Sequence, residues 1–178
     1  VRFMAIVGLF FGSDTGNTEA VGKMIQKKLG SKLVDVKDIA KSTKEEIAEF
    51  DLLILGIPTW YYGENQCDWD DFLPELEEID FTDKLVAIFG LGDQEDYSEY
   101  FCDAMEPLRD IVESKGAIVV GNWSTEGYEF EASKALTDEN TFIGLCIDED
   151  RQPELTKERV DAWVKQIYDE LCLAELED

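Results

Sequence analysis

The sequence contains no histidine and few basic residues. It has 16 Lys and Arg against 41 Asp and Glu, which gives a formal net charge of −25 at pH 7. A field of this sign repels nucleic-acid phosphates and anionic membranes and attracts basic protein surfaces. Solubility alone is the simpler explanation, but such charge is more often mixed in sign, and Lys84 is the only base between Glu45 and Leu108. The charge pattern therefore favours basic protein partners over nucleic acid or membranes.

Cysteine is also scarce. The four cysteines at positions 67, 102, 146 and 172 form no C-x-x-C pair, and no histidine is available to join them in a zinc site or a nucleophile–base pair. We expect free thiols in a reducing compartment, which predicts a cytoplasmic protein. No residue pattern indicates a catalytic acid, base or nucleophile, so the sequence predicts no enzyme active site and no metal site.

Long apolar runs are missing as well. Residues 3–11 follow Arg2 and imitate a short secretory signal, but no small-residue cleavage site comes after them and the run leads into a turn at Gly12. No stretch approaches the roughly 20 apolar residues that a membrane-spanning helix needs. We therefore expect neither a secreted protein nor a membrane protein.

Strand and helix patterns alternate along the chain. Apolar runs predict strands at Ile6–Phe11, Leu33–Ile39, Leu52–Ile57, Leu85–Phe89 and Ala117–Trp123, and helical spacing predicts helices at Thr18–Leu29, Ser42–Phe50, Asp68–Leu76, Glu99–Ser114 and Lys157–Leu171. Ser42 and Glu45 match a capping box. The pattern blurs after Ser124, and Phe142–Ile147 is typical of a further strand. This order predicts one α/β domain over residues 1–178, with a doubly wound parallel sheet and helices on both faces.

The loop after the first predicted strand has the sequence Gly-Ser-Asp-Thr-Gly-Asn-Thr at residues 12–18. Ligands of such sheets bind beyond the carboxyl ends of the strands. Hydroxyl groups and backbone N–H groups at a helix start favour an anion such as a phosphate. The loop is not a Walker loop, because it lacks the G-K-[S/T] ending. A capped turn without a ligand is the alternative.

Two further loops follow the third and fourth predicted strands. Residues 58–63 contain three adjacent aromatics, which favour a planar ligand or a protein interface, with local packing as the alternative. Residues 90–97 combine two glycines, which permit close approach of the backbone, with Asp93 and Tyr97; a solvated glycine-rich turn is the alternative. Taken together, the three loops predict a site for a phosphorylated aromatic cofactor.

These segments resemble the flavodoxins. The matching stretches are GLFFGSDTGNT at residues 8–18, GIPTW at 56–60 and FGLGDQ at 89–94, and the resemblance covers essentially the whole chain. The blurred region after Ser124 is similar to the insertion that splits the fifth strand in long-chain flavodoxins of enteric and related bacteria. The resemblance implies a flavodoxin-like, five-stranded parallel sheet in the order 2-1-3-4-5.

The resemblance also implies a function. It implies a monomeric electron carrier, not an enzyme, with one non-covalently bound FMN that transfers single electrons at low potential. Electrons would come from a flavodoxin/ferredoxin-NADP reductase and pass to acceptors such as methionine synthase or radical enzymes.

The resemblance further assigns residue roles. Residues 13–18 would hold the FMN phosphate, and Trp60 and Tyr97 would stack on opposite faces of the isoalloxazine ring. Asp93 would accept a hydrogen bond from the ring N3–H, Asp150 would reach a ribityl hydroxyl, and Tyr61 would cover the ring rim. The full set of expected cofactor-binding residues is Ser13, Asp14, Thr15, Gly16, Asn17, Thr18, Pro58, Thr59, Trp60, Tyr61, Gly63, Leu91, Gly92, Asp93, Tyr97 and Asp150.

The expected site is rich in acids and contains no evident cation. One unit charge about 10 Å from the ring, at an effective dielectric of about 20, disfavours an added electron by roughly 1.7 kcal/mol. The acids that crowd this edge are Glu64, Asp68, Asp93, Glu95, Asp96 and Glu99. Solvent screening reduces the effect, yet several such charges predict a low reduction potential.

Two other functions suit the same fold class. An FMN-dependent NAD(P)H:quinone-type oxidoreductase needs a substrate pocket over an open flavin face, which stacking on both faces disfavours. A receiver-like signalling module needs an aspartate at the end of the third strand, where this chain has Gly56-Ile57-Pro58-Thr59. The electron carrier is the favoured interpretation.

Overall fold

The computed structural model describes residues 5–60 and 62–176, and within them it contains ten strands and five helices. The strands are β1 (Val7–Phe11), β2 (Val34–Asp38), β3 (Leu52–Trp60), β4 (Glu64–Asn65), β5 (Leu85–Leu91), β6 (Ile118–Val120), β7 (Trp123–Ser124), β8 (Leu136–Asp138), β9 (Thr141–Phe142) and β10 (Leu145–Ile147). The helices are α1 (Asn17–Leu29), α2 (Lys44–Ala48), α3 (Cys67–Leu76), α4 (Met105–Ser114) and α5 (Thr156–Glu170). Short 3-10 turns lie at 39–41, 98–100, 153–155 and 173–176.

The main sheet is parallel and runs in the order β2-β1-β3-β5, with β6 and β10 sharing the last position. Leu85 and Ala87, in the first half of β5, pair with Ile118 and Val120. Its second half pairs with residues 145–147. The chain between these two short strands forms a separate antiparallel sheet in the order β7-β9-β8. The predicted strand order and the split fifth strand are therefore confirmed.

Both faces of the sheet are covered by helices. The strand β1 is buried along its whole length, with Phe10 in one apolar cluster and Leu9 in the other. The Phe10 cluster contains side chains from α2, α3 and α4, and the Leu9 cluster contains side chains from α1 and α5. Alternate side chains of one apolar strand thus enter opposite cores, as expected for a doubly wound sheet.

Two predicted helix starts are wrong. Helix α2 begins one residue later than the predicted capping box, because Thr43 is the residue whose side chain accepts from the backbone of Glu46. Helix α4 begins at Met105 and not at Glu99, since Cys102 has a positive φ of 56° that interrupts the helical path. Pro107 therefore lies in the first turn of α4, where its missing N–H has no intrahelical acceptor to lose.

Within residues 5–60 and 62–176, the structure contains no helix with both the length and the apolar character required to span a membrane.

Candidate cofactor site

A cleft opens at the carboxyl ends of β1, β3 and β5, where sheets of this type bind ligands. The space inside it, counted together with the open solvent at its mouth, is about 520 Å³. The lining residues are Asp14, Thr15, Asn17, Thr18, Pro58, Thr59, Trp60, Leu91, Gly92, Asp93, Tyr97, Glu149 and Asp150. The three loops predicted from the sequence thus meet at one site, together with the segment after β10.

The first loop presents the start of helix α1 to this cleft. Gly16 is the N-cap residue, with φ of 90°, a conformation that glycine adopts without a Cβ penalty. The backbone N–H of Gly16 donates to Ser13 Oγ at 2.9 Å, which closes the loop on itself. The first N–H groups of a helix have no intrahelical acceptor, so they are available to an anion at this end.

A buried glutamine holds the same loop from inside the protein. Gln66 is fully buried, and its amide donates to Asp14 Oδ1 at 3.0 Å and to Asp68 Oδ2 at 2.7 Å. A Cβ on Gly12 would lie 2.2 Å from Gln66 Oε1 and 2.7 Å from Trp69 Cδ1, so only glycine fits there. Sequence reasoning missed Gln66 because its partner lies 52 residues away in the chain.

Two aromatic side chains face the cleft from different loops. Trp60, at the end of β3, and Tyr97, before the 3-10 turn at 98–100, are both half-buried and line the cleft. Thr59 lies beside them, with Oγ1 accepting from the N–H of Ala104 at 3.0 Å. Tyr62 does not line the cleft; it is 73% exposed and meets Tyr100 edge to face at 5.7 Å. Tyr61 lies outside the described residues.

Asp93 organises the third loop. Its Oδ1 accepts from the backbone N–H groups of Glu95 at 2.9 Å and Asp96 at 3.0 Å, and from Arg151 Nε at 3.0 Å. Partial burial disfavours ionisation of Asp93, but the Arg151 side chain and the two backbone donors outweigh it. The pKa of this carboxyl therefore lies below its ordinary value. Three donors therefore share Asp93 Oδ1, and Oδ2 is the less engaged of the two carboxylate oxygens.

The segment after β10 supplies the fourth side of the cleft. Asp150 lies on the lining as expected, and Glu149 joins it, which the sequence did not predict. Desolvation and the neighbouring charges of Asp93 and Asp148 raise the pKa of the Asp150 carboxyl. Two carboxyls of one cleft, Asp93 and Asp150, therefore have pKa values displaced in opposite directions.

Asp148 connects this segment to the third loop from inside the protein. It is fully buried, and its carboxylate accepts from the Gln94 backbone at 3.0 Å and from the Gln94 amide at 2.8 Å. The same carboxylate accepts from the backbone N–H groups of Asp150 at 3.1 Å and Arg151 at 2.9 Å. Hydrogen bonds of this kind satisfy a buried charge that would otherwise be costly.

Gln94 extends the connection to the insertion. Its amide also donates to Gln152 Oε1 at 2.8 Å, and its carbonyl oxygen accepts from the N–H of Glu129 at 2.7 Å. The sequence shows Gln94 only as the last residue of the FGLGDQ stretch. No local pattern indicates that its side chain reaches two distant segments.

The prediction that the cofactor site contains no cation is wrong. Arg151 lies at the rim, with Nε 3.0 Å from Asp93 Oδ1, Nη1 3.0 Å from Glu95 Oε2 and Nη2 2.9 Å from Asp96 Oδ2. One guanidinium thus offsets part of the negative charge from which the low potential was argued. A lone arginine after three acids carries no sequence signal of this role.

Several expected residues shape the site without lining it. Ser13 and Gly16 form the turn that aims the first loop, and Gly63, with φ of 85°, packs against Asp103 and Tyr100. The remaining described residues of the expected set line the cleft.

The residues present fit a phosphorylated aromatic cofactor such as FMN. The open N-terminus of α1, with its N-cap glycine, suits a phosphate without a Lys or Arg in the loop. A Cβ on Gly92 would lie 3.0 Å from the Cys102 nitrogen, so the lining at this position stays free of side-chain atoms. Trp60 and Tyr97 supply the apolar faces that a planar ring needs.

Comparison with known proteins assigns the family. The flavodoxin family profile matches residues 9–163. The chain is 75% identical over 173 residues to the flavodoxin of Haemophilus influenzae, covering 97% of this chain and 99% of the relative. It is 68% identical to flavodoxin 1 of Escherichia coli K12, covering 97% and 98%. The structure of Fusobacterium nucleatum flavodoxin bound to flavin mononucleotide superposes with a TM-score of 0.88 at 38% identity, covering 94% of this chain and 99% of that one. The chain belongs to the flavodoxin family.

Proposed function

We propose that this chain is a single domain over residues 1–178 that carries electrons one at a time on a non-covalently bound FMN. The observation that carries the proposal is the cleft itself. A helix start preceded by a loop without bases and two half-buried aromatic side chains, Trp60 and Tyr97, line this one cleft. The bound flavin supplies the one-electron chemistry, and the chain supplies binding, orientation and electrostatics.

The phosphate end of the cofactor is held by residues 13–18. Thr15, Asn17 and Thr18 line the cleft there and present hydroxyl and amide donors, and the first-turn N–H groups of α1 point to the same place. The helix dipole adds a favourable interaction with an anion. The loop contains no Lys or Arg and Asp14 lies on the lining, so a dianion here would be held by hydrogen bonds and the helix dipole and not by an ion pair.

The ring end is held between Trp60 and Tyr97. Stacking on electron-rich faces disfavours a negative charge on the ring and keeps the reduction potential low. Negative side chains at the rim act in the same direction, and Arg151 opposes them in part. Asp93 Oδ2 and the hydroxyl of Thr59 remain available for the ring edge and the ribityl chain.

An electron carrier is favoured over the two other functions considered. If Trp60 and Tyr97 stack on opposite faces of the ring, as we propose, no ring face is left open for a quinone or a nicotinamide, and the flavodoxins to which the chain belongs are electron-transfer proteins. A receiver-like module is excluded by the end of β3, where Ile57 and Pro58 are buried and no carboxylate is present.

The partners we propose are basic proteins that dock over the cleft. Exposed acids surround it, among them Glu64, Glu95, Asp96 and Glu99. A flavodoxin/ferredoxin-NADP reductase would deliver electrons, and methionine synthase or radical enzymes would receive them. This role places the protein in the cytoplasm as a monomer, since a carrier must expose one face to successive partners.

The test is titration of the purified protein with FMN, followed by stepwise reduction with dithionite under anaerobic conditions. We expect one FMN per chain and two separate one-electron steps, seen as the growth and then the loss of long-wavelength absorption. Trp60→Ala and Tyr97→Ala should each weaken FMN binding at least about tenfold, equivalent to about 1.4 kcal/mol. Tyr62→Ala, which removes an exposed ring outside the lining, should leave the affinity within about twofold.

Three other outcomes would count against the proposal. A protein that takes up no FMN has no carrier function. Direct two-electron reduction, or turnover of NAD(P)H with a quinone in the absence of a reductase, would favour the oxidoreductase.

A further inference from the structure

Arg151 makes an unusual set of contacts for a side chain at a protein surface. Its guanidinium contacts both carboxylate oxygens of Asp93, with Nε 3.0 Å from Oδ1 and Nη2 3.4 Å from Oδ2. The remaining nitrogen, Nη1, lies 3.0 Å from Glu95 Oε2, and Nη2 also lies 2.9 Å from Asp96 Oδ2. A bidentate contact fixes the relative orientation of two groups as well as their distance.

Both ends of this contact are held in place. The backbone N–H of Arg151 donates to the buried carboxylate of Asp148, and the Arg151 side chain is 32% exposed. The Asp93 side chain is only 11% exposed and also accepts from two backbone N–H groups of its own loop. The contact is therefore part of a fixed arrangement and not a loose pair between two mobile chains.

The loop held in this way carries two lining residues of the cleft, Asp93 and Tyr97. The backbone N–H of Tyr97 donates to the Asp93 carbonyl at 3.3 Å, so the position of one residue constrains the other. Without a cation between them, the carboxylates of Asp93, Glu95 and Asp96 would repel one another, which would favour a more open loop.

We propose that Arg151 is a positioning residue that holds the 93–97 loop against the 148–152 segment and so sets how the cleft receives the isoalloxazine ring. The inference rests on the proposed function. Arg151 acts through Asp93 and its loop, because it is absent from the lining of the cleft. The planar shape of the Arg151 guanidinium matters as well as its charge, since a lysine carries the same charge but cannot make the bidentate contact.

The experiment compares three variants with the unmodified protein. Arg151→Gln removes both the positive charge and the bidentate contact, and Arg151→Lys keeps the charge alone. The matched control is Arg109→Gln on α4, where Arg109 pairs with Asp110 at 2.8 Å and Glu113 at 3.9 Å. It changes the net charge equally and lies outside the lining of the cleft. FMN dissociation constants, flavin midpoint potentials and unfolding of the FMN-free protein in urea are measured for each.

We expect Arg151→Gln to weaken FMN binding about tenfold and to lower the midpoint potential, with Arg109→Gln within about twofold in affinity. Arg151→Lys should restore most of the potential, because the potential reports charge, but little of the affinity, which reports loop geometry. This split between the two measurements is the signature of positioning.

Two results would overturn the inference. Full recovery of affinity in Arg151→Lys would reduce the role of Arg151 to charge, and an Arg151→Gln protein that binds FMN as tightly as the unmodified one would remove the role altogether. Failure of the unmodified protein to bind FMN would instead refute the proposed function.

Discussion

The two sides of the cleft are held by different physical means. The hydroxyl rim, residues 12–18, is fixed largely by neutral groups: the space that Gly12 leaves, the helix start at Gly16 and the amide of Gln66, which donates to the Asp14 carboxylate. The acidic rim, residues 93–97, is fixed by charges: the buried carboxylate of Asp148 and the guanidinium of Arg151. We therefore expect the hydroxyl rim to respond less to salt and pH than the acidic rim.

Gly12→Ala is the change with the largest expected effect, and it breaks the hydroxyl rim. The new methyl group would clash with Gln66 and Trp69, both buried, and Trp69 is held by its Nε1 bond to the Gly56 carbonyl at 2.8 Å. We expect a loss of about 2–3 kcal/mol in the free energy of unfolding, typical of overpacking. Urea denaturation of the FMN-free protein measures it.

The control for Gly12→Ala is Gly22→Ala on α1. Its nearest contact would be the methyl end of Leu9 at 3.1 Å, which can move, and alanine favours a helix by up to about 1 kcal/mol. A Gly12→Ala protein as stable as Gly22→Ala would show that the space at Gly12 does not fix the rim.

Asp148→Asn tests the acidic rim from inside. The amide nitrogen of the new side chain would face donors that now bond to a carboxylate, from Gln94, Asp150 and Arg151. We expect a loss of about 2 kcal/mol, the scale for a buried hydrogen bond to a charged group. The measurement is again urea denaturation, with Asp161→Asn as the control, since Asp161 pairs with Lys28 and Lys157 and lies outside the lining of the cleft. Equal stability of the two variants would contradict the claim that the buried Asp148 carboxylate stabilises the acidic rim.

Acid should loosen the acidic rim before the hydroxyl rim. The folded pKa of Asp93 is lowered, so its stabilising contribution is complete above the ordinary carboxyl pKa of about 3.9 and is lost as the pH falls through the folded value. The contribution should be within the roughly 0.2–1 kcal/mol of a partly exposed ion pair and should shrink in salt. The FMN-free Asp93→Asn protein should therefore lose less stability between pH 5 and pH 2 than the unmodified protein. Parallel curves would contradict this.

Asp150→Asn should have the smallest effect and the opposite sign. The folded pKa of Asp150 is raised, so the protonated form is the stabilising one and that contribution is lost as the pH rises through the folded value. At neutral pH the substitution should stabilise the FMN-free protein slightly, by less than about 0.5 kcal/mol, and the gain should vanish in acid. Thermal unfolding at several pH values measures it, and a loss of stability at neutral pH would count against the assignment.

Most of the fold follows from local patterns. Apolar strands such as β1 and β3 are buried on both faces, and their continuous runs predicted parallel strands, whereas the confirmed strand order was implied by the resemblance. Helix ends were less certain, because Ser42 and Thr43 are chemically equivalent as caps and only the backbone path selects between them. The start of α4 depends on the positive φ of Cys102, which no sequence pattern encodes.

The cleft was predictable as three loops but not as a network. Residue roles toward the cofactor were assigned by resemblance and stay predictions, although the structure places most of those residues on one lining. Gln66, Asp148 and Arg151 were missed because each acts across 50 residues or more of sequence. Contacts between residues so far apart in the sequence form only when the sheet is complete, so no local sequence pattern predicts them.

The shared last position of the sheet has a consequence for chain length. Because β6 ends at Val120 and β10 begins at Leu145, both on the same neighbour β5, the segment between them leaves and rejoins the sheet edge at nearby points. The entropy of closing such a loop grows only with the logarithm of its length, by about 0.6 kcal/mol per doubling. Insertions and deletions between Ser124 and Leu136 therefore change the closure entropy of the fold by little. What limits changes of length at this edge is contact with the third loop, through the N–H of Glu129 on Gln94 Oε1 at 2.7 Å, and not the entropy of closing the chain.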